Sequence, residues 1–238
     1  MAVRVLVVDI GGNNVKLLAS GRPEVRKVPS GPGLTPGRMV AAIHKATTGW
    51  GYRAVAIGYP GPVRNGRITA EPANLGRGWV RYDFRRGLGR PVRIVNDAVM
   101  QALGSYQGGR LLFLGLGTGL GAALVLEGLP QPLEIAHLPY RAGKTYEDFL
   151  GKRGLDRAGK KRWRRLVFEI VPRLRAAFQV DEVVLGGGNS KLLRTLPACC
   201  RRGDNRNAFA GGLRLFPSQD GSQRRGAKRA PTRRHRRR

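Results

Sequence analysis

Hydrophobic residues in this chain occur in short blocks that are separated by glycine-rich turns. Val3 to Val8 is an apolar, β-branched run, and a second apolar stretch extends from Val15 to Ala19. The segment D-I-G-G-N-N lies between them, beginning at Asp9. Apolar runs bounded by glycine predict two strands joined by a turn.

The same organisation occurs a second time. Leu111 to Leu114 and Ala122 to Leu126 flank the turn G-L-G-T-G-L-G. A third apolar run, Val183 to Leu185, enters the loop G-G-G-N, and Leu192-Leu193 beyond it suggests the start of a helix. The repeat predicts two similar α/β units.

Helical spacing of apolar residues alternates with these strands, which predicts an α/β fold. The helical segments are Met39 to Thr47, Ala98 to Tyr106 and Tyr146 to Phe178, the last interrupted by glycines and Pro172. We expect a small N-terminal lobe (1–108), a large C-terminal lobe (109–202), and a segment (203–216) that packs back on the first lobe.

Charge adds a preference for anionic partners. Among 238 residues, 44 Lys and Arg oppose 15 Asp and Glu, for a net charge of +29. Such a balance favours nucleic acid, anionic lipid or polyphosphate without choosing among them. Residues 217–238 contain nine of these basic residues against one acid, Asp220, and no periodic apolar face. We predict a disordered Arg-rich tail, capable of nonspecific nucleic-acid contact or without function.

The remaining composition points to a reducing cytoplasm. The two cysteines, Cys199 and Cys200, are neighbours in the sequence, which argues against a disulfide-bonded secreted fold and against a thiolate metal site. The uncharged stretch Leu111 to Leu126 is shorter than the roughly 20 residues that span a bilayer, and glycines interrupt it. We therefore expect neither a membrane span nor a signal peptide.

The two glycine turns are candidate phosphate sites. Consecutive backbone N–H groups in such turns form an anion-binding concavity, although one glycine turn between strands is more often structural. Gly117, Gly119 and Ala122 match the dinucleotide pattern G-x-G-x-x-A, but that pattern should open a helix, whereas a strand is predicted here. A P-loop string is absent from the sequence.

Several motifs together resemble the ROK family of sugar kinases, in family order over residues 3–216. They are V-V-D-I-G-G-N-N-V-K, G-Y-P-G-P-V, E-P-A-N-L-G-R-G-W, I-V-N-D-A, L-G-L-G-T-G-L-G-A-A-L, E-I-A-H, V-V-L-G-G-G-N and G-D-N-R-N-A-F-A-G-G. P-Y-R-A-G-K-T-Y-E-D is similar to the polyphosphate glucokinase branch. The resemblance implies a two-lobed actin-like ATPase (ribonuclease H-like) fold of the hexokinase type.

The resemblance assigns the chemistry to Asp97, as the general base that takes the proton of the sugar 6-hydroxyl. A carboxylate before a helix is otherwise a common N-cap, which is the alternative for Asp97. The implied sugar ligands are Gly61, Asn74, Asn96, Asp97, Glu134 and His137, with Glu71 a less certain member. The E-I-A-H spacing, rather than the chemistry of a lone histidine, carries the assignment of His137.

Two segments are implied to bind the phosphates, and a third to receive adenine or ribose when a nucleotide is the donor. The phosphate residues are Asp9, Gly11, Gly12, Asn13, Lys16, Gly117, Thr118 and Gly119, and the nucleotide residues are Gly187 and Gly188. Asp9 is also the expected Mg²⁺ ligand. Asn13 stands where the family has Thr, and because no cysteine lies between His137 and Cys199, we expect no structural zinc.

The expected activity is transfer of a phosphoryl group from polyphosphate, ATP or both to glucose. A cluster of cations in the large lobe could hold a polyphosphate chain, or could be a solvated helix face: Lys144, Lys152, Arg153, Arg157, Lys160, Lys161, Arg162, Arg164 and Arg165. The alternatives are an ATP-dependent kinase of mannose or glucosamine and a non-catalytic sugar-binding protein. Family members suggest a homodimer.

Overall fold

A computed structural model describes residues 3–204 and 206–216, and it contains two five-stranded sheets. The predicted tail lies outside the described residues. No helix in the described ranges is long and apolar enough to cross a membrane.

The first sheet has the strand order β3-β2-β1-β4-β7. The first three strands pair antiparallel, whereas β1, β4 and β7 run parallel. The strands are β1 (Val5–Ile10), β2 (Asn14–Ala19), β3 (Arg26–Pro29), β4 (Ala54–Tyr59) and β7 (Val92–Asn96), and β5 (Val63–Arg64) and β6 (Arg67–Ile68) form a small hairpin beside it.

The second sheet repeats this topology, with the order β10-β9-β8-β13-β14. Its first three strands are again antiparallel and its last three parallel. The strands are β8 (Arg110–Leu116), β9 (Leu120–Leu126), β10 (Leu129–Leu133), β13 (Glu182–Gly186) and β14 (Cys200–Arg202), and β11 (Pro139–Arg141) pairs with β12 (Lys144–Thr145). The twofold organisation predicted from the sequence is therefore present.

Helices cover these sheets. They are α1 (Pro36–Ala46), α2 (Phe84–Leu88), α3 (Asp97–Ser105), α4 (Tyr146–Leu150), α5 (Lys152–Phe178) and α6 (Asn207–Arg214), with 3₁₀ helices at Ile135–His137 and Gly188–Leu192. Helix α5 bends at Gly159, which has a non-helical φ of 71°.

Helix starts follow local capping chemistry. The side chain of Thr35 accepts the N–H of Arg38 ahead of α1, with Pro36 in the first turn. A threonine cap recurs at α4, where Thr145 and Asp148 form a capping box. These positions fix where the two helices begin.

The central strands of the first sheet are buried on both faces. Every residue of β1 and of β4 is buried, as expected for central strands covered by helices on both sides. Separate apolar clusters lie around the two sheets: the first contains Trp79 and Met39, and the second contains Trp163 and Leu150.

Helix α3 connects the two sheets. Its residues Ala98 and Val99 pack with Phe113 and Ala123 of the second sheet, whereas Met100 packs with Val7 of the first. Helix α6 lies across α3 and β1, with Phe209 in the same cluster as Val7. The division into lobes at residue 108 stays a prediction.

One local prediction was wrong. A helix was expected to start at Leu192-Leu193, but the 3₁₀ helix that follows Gly187 ends at Leu192, and Leu193 is extended. The apolar pair is explained by packing instead, since Leu193 is buried in the second cluster and Leu192 packs against it.

Candidate active site

Three parallel strands of the first sheet end at one edge, and this edge carries the candidate catalytic groups. Asp9 lies near the end of β1, Asn96 ends β7, and Asp97 opens α3 directly after it. Ligands of open α/β sheets commonly bind at the carboxyl ends of parallel strands. The strand order therefore brings together residues that are far apart in the sequence.

Asp9 is a buried carboxylate with a cationic partner. Its residue is 6% exposed, and its Oδ2 accepts a hydrogen bond from Lys16 Nζ at 3.1 Å. Pairing of this kind is what makes a buried charge tolerable. Lys16, which the family resemblance places among the phosphate ligands, is thus held at the same edge.

The donor set around Asp9 fits Mg²⁺ only if substrate supplies further ligands. No group of three or more His, Cys, Asp or Glu side chains within residues 3–204 and 206–216 could hold a metal. Mg²⁺ commonly uses one or two carboxylates together with substrate phosphates and water. Asp9 offers one such carboxylate.

Asn96, and not Asp97, is the N-cap residue of α3. Its Oδ1 accepts the N–H of Ala98 at 2.9 Å, and its Nδ2 donates to the carbonyl oxygen of Gly61 at 3.0 Å. Two residues expected to contact the sugar, Asn96 and Gly61, are therefore bonded to each other. The N-cap role that was the alternative interpretation of Asp97 is thus performed by Asn96.

Asp97 sits in an environment that disfavours its charge. Burial, the negative charge of Asp9 and, more weakly, that of Glu134 raise its pKa from 3.8 to about 7, against the opposing influence of the N–H groups of Ala98 and of Asp97 itself. The hydrogen bond from the N–H of Ala98 reaches Oδ1 at 2.7 Å, and no hydrogen bond among the described residues involves Oδ2. A carboxylate with a raised pKa and an available oxygen is suited to accept a proton near neutral pH.

The raised pKa predicts a pH-dependent cost in stability. Because the folded pKa exceeds the unfolded value, ionisation of Asp97 destabilises the fold as the pH rises from about 4 to above 7. We expect Asp97→Asn to be more stable than wild type at pH 8, by up to about 4 kcal/mol, and nearly equal at pH 4. Thermal unfolding at both pH values measures this difference, and a gap that does not change with pH would contradict it.

The first glycine turn is fixed at both ends. The N–H of Gly11 donates to the carbonyl oxygen of Asn14 at 3.0 Å, and Ser30 Oγ donates to the carbonyl oxygen of Gly11 at 2.6 Å. The N–H groups of Gly12 and Asn13 have no acceptor among the described residues. They remain available to an anion.

The second glycine turn is organised in the same manner. The N–H of Gly117 donates to the carbonyl oxygen of Gly119 at 3.1 Å, and Asn189 Nδ2 donates to the carbonyl oxygen of Gly117 at 3.0 Å. Thr118 and Gly119 have N–H groups without an acceptor in the described part of the chain. Gly121, just after the turn, lies against α3, since a Cβ there would be 3.2 Å from that of Ala98.

The predicted nucleotide segment abuts this turn. Gly187 has a φ of 80°, and a Cβ at this position would collide with the carbonyl of Leu116, the residue before Gly117. Only glycine allows this close approach without strain. Gly188 is exposed and opens the following 3₁₀ helix.

The loop that carries Asn74 is held by Glu71. The Glu71 carboxylate accepts the N–H groups of Gly78, Trp79 and Val80 at 3.0 to 3.3 Å. Although burial opposes ionisation, these bonds and Arg77 lower the pKa of Glu71. Glu71 therefore organises the loop, while Asn74 is exposed on it.

The last two predicted sugar ligands lie at the 3₁₀ helix of the second lobe. Glu134 precedes this helix and His137 ends it, and both are exposed. The negative charge of Glu134 contributes, as the weakest of the causes, to the raised pKa of Asp97. The structure thus relates Asp9, Asp97 and Glu134 to one region, and the roles of the predicted residues remain proposals.

Sequence reasoning missed three residues that shape the turns: Ser30, Asn189 and Glu147. Asn189 belongs to the G-G-G-N motif, so the motif contained a signal for it. Ser30 follows β3 and has no motif around it. Glu147 belongs to the P-Y-R-A-G-K-T-Y-E-D segment, but an acidic residue in the first turn of a helix is usually explained by the helix itself.

Comparison with known proteins supports the fold. An inorganic polyphosphate/ATP-glucomannokinase from Arthrobacter sp. strain KM has a TM-score of 0.76 and 23% identity, covering 90% of this chain and 98% of that one. A ROK family glucokinase from Streptomyces griseus, in complex with glucose and AMPPNP, has a TM-score of 0.73 and 19% identity, covering 90% and 99%. The expected two-lobed fold of the hexokinase and ROK type is confirmed.

Sequence comparison matches a smaller part of the chain than structural comparison does. No family model matches the chain. A glucokinase from Pyrobaculum calidifontis is 27% identical over 132 residues, which are 53% of this chain and 40% of that protein. The match thus spans less than half the length of this curated relative.

Proposed function

We propose that this chain is a hexose kinase that transfers a phosphoryl group to the 6-hydroxyl of glucose. The observation that carries the proposal is that Asp97 lies next to the strand that pairs with Asp9, at the carboxyl edge of the first sheet: Asp9 pairs with Gly58 of β4, and a Cβ at Gly58 would be 3.6 Å from the Cα of Asp97. The fold shared with ROK kinases and the partial match to a glucokinase support it.

In the proposed reaction, Asp97 accepts the proton of the sugar hydroxyl through its carboxylate. The hydroxyl oxygen then forms a bond to the terminal phosphorus of the donor, and the bond from that phosphorus to the bridging oxygen breaks. The electron pair leaves with the remaining donor. Asn74, Glu134 and His137 would orient the hexose, each offering a polar group that can bond to hydroxyls.

The two glycine turns would hold the donor phosphates through free N–H groups at Gly12, Asn13, Thr118 and Gly119. Lys16 adds a positive charge at the same edge. Bound Mg²⁺, held by Asp9 and the donor, would offset phosphate charge. Positioning and electrostatics are the main protein contributions in phosphoryl transfer.

Polyphosphate is the proposed donor, with ATP as the alternative. Lys160, Lys161, Arg162 and Arg165 on α5 are exposed and have no ion pair among the described residues. Other cations of the cluster are engaged: Lys152 pairs with Asp156, and Arg164 donates to the carbonyl oxygen of Leu192. The free cations form a surface that suits a long polyanion.

This surface predicts a difference between donors. Replacing both Lys161 and Arg165 by Ala should raise the KM for long-chain polyphosphate roughly five- to tenfold at low salt, because counterion release on binding is lost. The KM for ATP should not change. Steady-state glucose phosphorylation with each donor tests it. The matched control removes two exposed cations of α2, Arg85 and Arg86.

Equal effects of the two double variants would contradict a dedicated polyphosphate surface on α5, and ATP would be the donor if polyphosphate supported no glucose phosphorylation in wild type. The same assay with mannose and glucosamine tests the acceptor. The homodimer and the cytoplasmic location stay predictions from the sequence.

A further inference from the structure

A carboxylate lies against the second glycine turn, although this turn is proposed to bind the negatively charged phosphates of the donor. Glu147 of α4 accepts the N–H of Leu120 through Oε2 at 3.0 Å, and its side chain is 23% exposed. A Cβ on Gly119 would be 2.5 Å from the same Oε2 atom. Glu147 therefore contacts the turn that is proposed to receive phosphate.

Backbone hydrogen bonds link the turn to the helices that carry Glu147. The N–H of Gly151 donates to the carbonyl oxygen of Glu147 at 2.8 Å, and the N–H of Lys152 donates to the carbonyl oxygen of Thr118 at 3.2 Å. The turn is therefore bonded at two positions: Thr118 to the start of α5, and Leu120 to the side chain of Glu147 in α4.

The negative charge of Glu147 is partly offset. Arg153 Nη2 lies 3.5 Å from Glu147 Oε1 and is largely exposed. Since Leu120 already has an acceptor, the N–H groups left for a donor are those of Thr118 and Gly119. The carboxylate therefore occupies the N–H of Leu120, whereas those of Thr118 and Gly119 have no acceptor among the described residues.

We infer that Glu147 is a positioning residue for the phosphate donor: its carboxylate fixes the 117–120 turn so that the N–H groups of Thr118 and Gly119 converge on donor phosphates. This inference rests on the proposed function. Glu147 would act through the backbone and would not touch the sugar.

The test compares Glu147→Ala and Glu147→Gln. Alanine removes the acceptor, so we expect the donor KM to rise about tenfold, the size of effect typical of a hydrogen bond to a charged group. The KM for glucose should stay unchanged. Glutamine keeps an acceptor for Leu120 and should restore most of the donor affinity.

Glu182→Ala is the control, because Glu182 begins β13, at the opposite end of that strand from Gly186, and forms an ion pair with Arg201. An unchanged donor KM in Glu147→Ala, or a parallel rise in the glucose KM, would overturn the inference. Thermal unfolding of each variant identifies a loss of fold.

Calorimetric binding of tripolyphosphate with Mg²⁺ separates this inference from the proposed function. If wild type binds tripolyphosphate without phosphorylating glucose, the proposed function fails, and weaker binding by Glu147→Ala still supports the inference. Equal binding by both proteins overturns it. If wild type binds neither tripolyphosphate nor ATP in the presence of Mg²⁺, both the inference and the proposed function are overturned.

Discussion

Replacing Asp97 by Asn should lower the turnover of glucose phosphorylation by about 10² to 10⁴, the usual contribution of a positioned general base. Asn has nearly the same shape but cannot take the hydroxyl proton. Because Asn96 provides the cap of α3, the helix should persist in the variant. A coupled assay for the sugar phosphate, at saturating glucose and donor, measures the loss.

Asp83→Asn is the matched control for this substitution. Asp83 caps α2 by accepting the N–H of Arg86 at 2.9 Å, a role that Asn performs equally well. Its turnover should equal that of wild type. Turnover of Asp97→Asn within a factor of about three of wild type would be too small a loss for a general base and would remove Asp97 from that role.

Gly211→Ala should destabilise the fold strongly. A Cβ at Gly211 would overlap the carbonyl oxygen of Met100, and one at Gly104 would overlap that of Asn207. Helices α3 and α6 therefore touch backbone to backbone. Since neither backbone can yield easily, we expect a loss of about 3 kcal/mol and a fall in Tm of roughly 6 to 12 °C.

Gly37→Ala provides the comparison. Gly37 is exposed within α1, and a Cβ there would meet no atom within 4 Å. The substitution should stabilise the protein by about 0.5 to 1 kcal/mol, because Ala loses less entropy in a helix. Equal thermal unfolding of the two variants would contradict the close packing of α3 on α6.

The features predictable from sequence are those encoded in adjacent residues. Apolar runs ending in glycine turns predicted β1, β2, β8 and β9, because both the burial of a strand and the reversal of the chain depend on local residue types. The apolar spacing of Ala98 to Tyr106 likewise predicted the helix that begins at Asp97. The placement of Asp97 beside Asp9 depended on the family resemblance.

The contacts that fix the turns could not be predicted in this way. Glu147 reaches Leu120 across 27 positions, and Ser30 reaches Gly11 across 19. Neither pairing leaves a local pattern, since it arises only when sheet and helix are packed. The same holds for Leu192-Leu193, whose apolar character reflects burial in the second cluster and not helical periodicity.

The measurement closest to the central claim is phosphoryl transfer itself, followed by ³¹P NMR with wild-type protein, glucose, Mg²⁺ and either polyphosphate or ATP. The account predicts a new resonance of glucose 6-phosphate that Asp97→Asn forms far more slowly. Absence of any sugar phosphate with both donors, or phosphorylation at another hydroxyl, would contradict it.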